Sequence, residues 1–222
     1  MRLPPILTHR IELARSALLN NPDGELPAQQ RRAVYAFFNT YHGRVEYHAR
    51  VWLDIFVARR VLPFWERVWP NDTEPATLLL LAKGFLMGTV QRPDAYAAYS
   101  HAVDESLLSN FGRSGALSQS WCAFDLAKQA LYEALTDDFE LDTAYRPIPQ
   151  AGNDESTASL AAFMEAGGAW NMTEPYIDTG LVLEPPDDMA VRRAAFWEWW
   201  LTDAIPAAWE ASLRSSVHGS AG

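Results

Sequence analysis

The sequence predicts an all-α protein that folds as a single compact domain of about seven to nine helices. First, apolar residues recur at the helical period in nearly every segment, and the only alternating stretch, residues 181–183, is too short for a strand. Second, glycines and prolines fall mostly between these segments, as expected of helix boundaries. Third, 222 residues, 49% of them hydrophobic, can bury a core without a disulfide or a metal.

Four helices are predicted in the first half of the chain, at 8–19, 27–41, from 44 onward, and at 73–86. Pro27 suits the first position of the second helix. Pro63 is expected to end or kink the third, because proline lacks the N–H that a helix interior requires. On that helix Glu46, Arg50 and Asp54 form a ladder of alternating charge at four-residue spacing, which we interpret as a solvated face.

Four more helices are predicted in the second half, at 92–110, 116–135, 154–166 and 189–209. The last is expected to be kinked by Pro206. The segments near 136–153 and 169–188 are acidic, contain prolines and show no period, so they are predicted to be long loops. The predicted domain covers residues 1–214, and residues 215–222 are predicted to form a disordered tail.

Charge is distributed unevenly along the chain. Its net charge is −10, yet residues 1–70 carry ten arginines against six acids, and residues 133–188 carry thirteen acids against Arg146 alone. This balance argues against direct nucleic-acid binding and would favour a basic protein partner, although a solvated surface explains it equally well. The candidate partner-binding acids are Asp137, Asp138, Glu140, Asp142, Asp187 and Asp188.

No targeting or membrane segment is evident. Polar residues interrupt the N-terminal region from Thr8 onward, and the longest uncharged apolar stretch, residues 76–82, is far too short to span a bilayer. We therefore expect a cytoplasmic protein that does not use a membrane.

No catalytic, metal or cofactor motif is found. The sequence has no Glu-x-x-His pair, no His-Glu-x-x-His and no phosphate-binding glycine motif. Cys122 lies mid-helix beside apolar residues and is expected to be inert. We therefore predict no catalytic residue, no metal and no cofactor. The alternative is a helical enzyme whose metal or small-ligand pocket is built from His42, His101, Asp104 and Glu105.

Tryptophan is unusually frequent, with nine in the chain. On the last helix Trp197 and Trp200 share a face, whereas Trp199 points roughly opposite to Trp197. The first two are expected to fill the core with their indole N–H groups bonded inside, and Trp199 is a candidate partner contact. A third alternative is a structural protein that self-associates through a tryptophan surface.

Several aromatic and proline motifs resemble a known family. Residues 60–66 read RVLPFWE and are followed by Trp69, Pro70 and a helix opened by Pro75. Residues 161–163, 166–170 and 192–206 agree, as does the turn at 23–27. Together they resemble the fifth class of predicted all-α immunity proteins of bacterial polymorphic toxin systems, over roughly residues 20–210. The structural landmarks are Pro63, Trp65, Glu66, Gly167, Gly168, Phe196, Trp197, Trp200 and Pro206.

The resemblance implies a cytoplasmic, non-enzymatic protein that binds a cognate toxin domain and blocks it. The family supplies no catalytic residues to carry over. Many antibacterial toxin domains are nucleases with basic clefts, so the resemblance makes the acidic region 133–188 the candidate contact. The toxin partner is accordingly expected to be basic.

Overall fold

A computed structural model describes residues 3–40, 44–108, 115–136, 153–167 and 187–218. These residues form nine α-helices, a π-helical turn and no strand. The all-α prediction is therefore confirmed. The helices are α1 (Pro5–Leu19), α2 (Ala28–Thr40), α3 (Arg44–Val68), α4 (Glu74–Leu86), α5 (Arg92–Leu108), α6 (Gly115–Leu135), α7 (Asn153–Glu165), α8 (Met189–Trp199) and α9 (Ile205–His218), and the π turn (Trp200–Ala204) lies between the last two.

Helix α3 is the centre of the core. It packs against α2, α4, α6, α7, α9 and the π turn. Apolar residues cover most of its circumference, and Val51, Leu53 and Val57 have no exposed surface. A helix that is apolar on most sides must be enclosed by others, which explains why α3 is central.

Pro63 does not end α3, which continues to Val68. Proline removes the hydrogen bond that would have reached the carbonyl of Arg59, four residues earlier. Both residues are exposed, so water can hydrate that carbonyl at little cost. Of the two outcomes predicted at Pro63, an end of the helix is therefore wrong, because the proline lies on the solvent side and the helix continues past it.

The charged ladder of α3 is not a solvated face. Asp54 has no exposed surface, and Glu46 and Arg50 are partly buried. Helix α6 covers this side, and Arg50 forms an ion pair with Glu133 of α6 at 3.5 Å. The ladder therefore belongs to the interface between α3 and α6.

The C-terminal helices differ from the prediction in two respects. The single helix predicted over 189–209 is instead α8, a π turn and α9, and in the π turn the Ile205 N–H bonds to the Trp200 carbonyl five residues earlier. Helix α9 then continues to His218, beyond the predicted boundary at residue 214. Ser215 is buried, and its hydroxyl lies 2.7 Å from His48 Nδ1. Residues 215–218 are thus part of the fold, and residues 219–222 lie outside the described residues.

The two predicted acidic loops lie largely outside the described residues, which omit 137–152 and 168–186. Among the helices that are described, none is both long enough and apolar enough to cross a membrane.

Candidate functional site

Trp197 and Trp200 are fully buried in the core. Their rings meet edge to face with centroids 5.6 Å apart, and Trp200 also contacts Tyr35 at 5.7 Å. Neither indole nitrogen has a hydrogen-bond partner among the described residues. The expected internal hydrogen bonds are therefore not formed at these two positions, although the Trp52 indole does donate to Ser215 Oγ at 3.3 Å.

Trp199 lies on the other side of α8 and is partly buried. The guanidinium of Arg60 lies over its ring, 4.3 Å from the centroid. Arg60 also forms an ion pair with Glu165 of α7 at 3.4 Å. One face of Trp199 is thus covered from within the protein, so this side chain offers a partner less surface than the sequence suggests.

The structure describes two of the six candidate acids, Asp187 and Asp188, and both are exposed. Asp188 occupies the N-cap position of α8 but makes no side-chain capping bond. Its carboxylate pairs instead with Arg192 Nε at 2.7 Å. The other four candidates, Asp137, Asp138, Glu140 and Asp142, lie outside the described residues.

Two other acids of the 133–188 region are held by internal partners. Glu133 is buried, pairs with Arg50 and accepts a hydrogen bond from Gln129 Nε2 at 2.8 Å. Glu165 pairs with Arg60. These carboxylates stabilise helix packing and contribute little to the charge that a partner would meet.

The structure describes the side chains of only two of the four residues proposed for the alternative metal or small-ligand pocket. His101 and Asp104 of α5 are exposed, while His42 and the side chain of Glu105 lie outside the described residues. Within the described ranges, no group of three or more His, Cys, Asp or Glu side chains could hold a metal ion.

His48 of α3 lies in a strongly perturbed environment. It is buried between α3 and α9, and burial, reinforced by the nearby charge of Arg44, lowers its pKa to about 4. A neutral ring is therefore favoured, in hydrogen-bond contact with Ser215. His48 therefore contributes to the packing of α3 against α9 and is not available on the surface to contact a ligand or a partner.

The structural landmarks divide into buried and exposed residues. Trp65 and Phe196 are buried, and Gly167 closes α7 with a φ of 92°, a backbone angle that favours glycine. Pro63 and Glu66 are exposed. Glu66 has no ion pair among the described residues, so the structure gives it no packing role. Gly168 lies outside the described residues.

The chain turns sharply where α3 ends and α4 begins, and the surface formed there was not predicted as a candidate site. We define the α3–α4 corner by Glu66, Trp69 and Asp72. Two adjacent open grooves, of about 540 and 250 Å³, meet there and share Asp72 and Thr73 as lining residues. The larger also includes His101 of α5. The sequence does contain a pattern that could have indicated this surface: residues 69–74 read WPNDTE, which places an aromatic residue and two acids in a turn.

A comparison with protein families gives a match. The model of the family described as Immunity protein Imm5 matches residues 11–207, most of the chain. The chain belongs to the Imm5 immunity protein family. The Imm5 match begins within α1 and ends in the first turn of α9, so it includes both the aromatic helix α8 and the α3–α4 corner. No curated protein matches the chain.

Proposed function

We propose that this chain binds the toxin domain of its own polymorphic toxin system in the bacterial cytoplasm and blocks it without catalysing a reaction. The match to the Imm5 immunity family over residues 11–207 carries this proposal. An immunity family implies toxin neutralisation, and neutralisation by occlusion needs only a tight and specific surface.

The chemistry of the described residues supports occlusion rather than modification of the toxin. Arg50 with Glu133 and Arg60 with Glu165 are already engaged in helix packing. The perturbed His48 is buried against α9, where a macromolecular partner cannot reach it. The described surface includes exposed carboxylates, such as Glu66, and the partly exposed ring of Trp69, and such groups can recognise a partner by charge and by aromatic contact.

We further propose that the acidic region 133–188 attracts a basic toxin domain during encounter. Its thirteen acids against one arginine favour a positive partner over long range. Asp187 is exposed just before α8 and contributes to that field, whereas the charge of Asp188 is offset by its ion pair with Arg192. Charges of this kind act mainly on the association rate, whereas buried aromatic contacts govern dissociation.

Titration of toxin activity with the purified full chain tests blocking directly. The probe is the toxin domain encoded by the neighbouring gene, at a concentration well above the dissociation constant. Occlusion predicts that inhibition rises linearly and ends close to one equivalent. Complete inhibition by a few hundredths of an equivalent would instead show that the chain modifies the toxin catalytically.

Charge reversal tests the acidic region. Replacing Asp137, Asp138, Glu140 and Asp142 with lysine should slow association with the toxin domain by about tenfold or more at low salt, and should weaken its salt dependence. Dissociation should change less. If the variant associates and protects as fast as the natural chain, the acidic region is only a solvated surface.

A further inference from the structure

The turn at the α3–α4 corner is fixed from within. The Asp72 N–H donates to the Trp69 carbonyl at 3.1 Å, and the Asp72 carbonyl accepts the Trp65 indole N–H at 3.2 Å. One carboxylate oxygen of Asp72, Oδ1, accepts the Glu74 N–H at 2.8 Å and so caps α4. A surface fixed in this way loses little conformational freedom when a partner binds.

Trp69 presents aromatic surface in the same corner. It is 39% exposed, and its indole N–H donates to the buried Ser120 hydroxyl at 3.3 Å. Its ring lies 6.0 Å from that of Trp65, inside a cluster that continues to Trp121 and Phe124. A rigidly held, partly exposed tryptophan is the kind of residue that dominates protein interfaces.

The charge of the corner is negative and not neutralised internally. Glu66 and Asp72 line the smaller groove, and neither forms an ion pair within the described part of the chain. The neighbouring Arg67 is directed to the ring of Phe64, with its guanidinium carbon 5.5 Å from the centroid. Two carboxylates that line one groove attract an ammonium or guanidinium group.

We infer that the α3–α4 corner is a contact surface for the toxin domain, that Glu66 and Asp72 receive a lysine or arginine side chain from it in the groove they share, and that the exposed part of Trp69 adds aromatic contact next to this groove. This inference rests on the proposed function and adds a defined contact to it. Charge complementarity selects a basic partner. A second copy of the chain, which carries a net charge of −10, would be repelled overall.

Glu66→Lys is the decisive variant, and Glu12→Lys is its matched control. Glu66 is exposed in the last turn of α3, where lysine interacts favourably with the helix dipole, so the fold should be retained. Glu12 is exposed on α1, which packs against α2, α8 and the π turn. Both variants change the net charge equally. Asp72→Asn removes the second acid while keeping the oxygen that caps α4.

Equilibrium binding to the toxin domain encoded by the neighbouring gene is then measured for each full-length variant, with circular dichroism as the check on folding. We expect Glu66→Lys to weaken binding by about tenfold or more, Asp72→Asn to weaken it by severalfold, and Glu12→Lys to change it by less than about twofold. If Glu66→Lys proves unstable, Glu66→Gln should still weaken binding measurably.

Two outcomes overturn this inference in distinguishable ways. If Glu66→Lys binds as well as Glu12→Lys while the variant with lysine at positions 137, 138, 140 and 142 binds poorly, the corner is not a contact and the proposed function stands. If the natural chain itself does not bind the toxin domain, the proposed function fails and the corner loses its partner with it.

Discussion

Gly24 fixes the early turn of the chain against the start of α8, and its replacement by alanine is predicted to destabilise the fold substantially. Gly24 has a φ of 66°, and a Cβ added there would lie 1.9 Å from the carbonyl oxygen of Ala190. Real atoms cannot approach so closely, and a backbone carbonyl cannot rotate away as a side chain could. The turn or the first residues of α8 must therefore shift.

Gly88 provides the comparison that separates strain from overlap. Its φ is 71°, but a Cβ there would meet no atom within 4 Å. A left-handed alanine costs about 1–2 kcal/mol, and the stiffer unfolded chain returns about 0.4–1 kcal/mol of that. Gly88→Ala should thus lose about 1 kcal/mol. Overlap adds about 1–3 kcal/mol, so Gly24→Ala should lose about 2–4 kcal/mol in total.

Urea unfolding of the two variants and the natural chain measures both free energies. The difference between the variants isolates the close approach of the early turn to α8, because the backbone strain is common to both. Equal losses, within about 0.5 kcal/mol, would show instead that this close approach does not constrain the fold.

Two further predictions concern the core. Trp197→Ala and Trp200→Ala should each cost about 3–5 kcal/mol in urea unfolding, because both rings are fully buried. Trp199→Ala should cost clearly less, and equal losses at all three would show that α8 is enclosed on every side. The neutral, buried His48 has a pKa of about 4, below its usual 6.5, so the unfolded chain binds this proton more readily. Stability should therefore fall by about 2 kcal/mol between pH 7 and 5 through this group and level off below pH 4. His48→Gln should lack that part of the loss, whereas an unchanged pH dependence would contradict the assignment.

The helices were predictable from the sequence because their signals are local. Apolar periodicity, prolines at helix starts and glycines at helix ends depend on neighbouring residues, and they indicated the segments that the structure describes as helices. Errors arose where a local rule depends on what surrounds the helix. Pro63 lies on the solvent side of α3, so it does not end the helix. The start of α1 was also predicted three residues too late, since the helix begins at Pro5 rather than at Thr8.

The polar groups were harder to place because their environment is set by distant residues. Asp54 was predicted to be solvent-exposed from its spacing, yet it has no exposed surface in the folded chain. Ser215 looked like part of a free tail, yet it is buried beside His48 and Trp52, more than 160 positions earlier in the chain. Pairings at such separations leave no periodic trace in the sequence.

Only the negative charge of the candidate surface could be predicted from the sequence, and not its position. The acidic composition indicated a basic partner, but the α3–α4 corner exists because a turn brings Glu66 beside Asp72 and helix α5 places His101 at the adjoining groove. The ring of Trp69 is also held by a hydrogen bond to Ser120, 51 positions later. Only the folded chain brings these groups together.

The central claim is that this chain protects a cell by neutralising one toxin domain. The most direct measurement is the growth of cells that express the toxin domain encoded by the neighbouring gene, with and without this chain. The account predicts arrest with the toxin alone, and full growth when the chain is present at equal or greater abundance. Continued arrest, despite abundant folded protein, would contradict the claim.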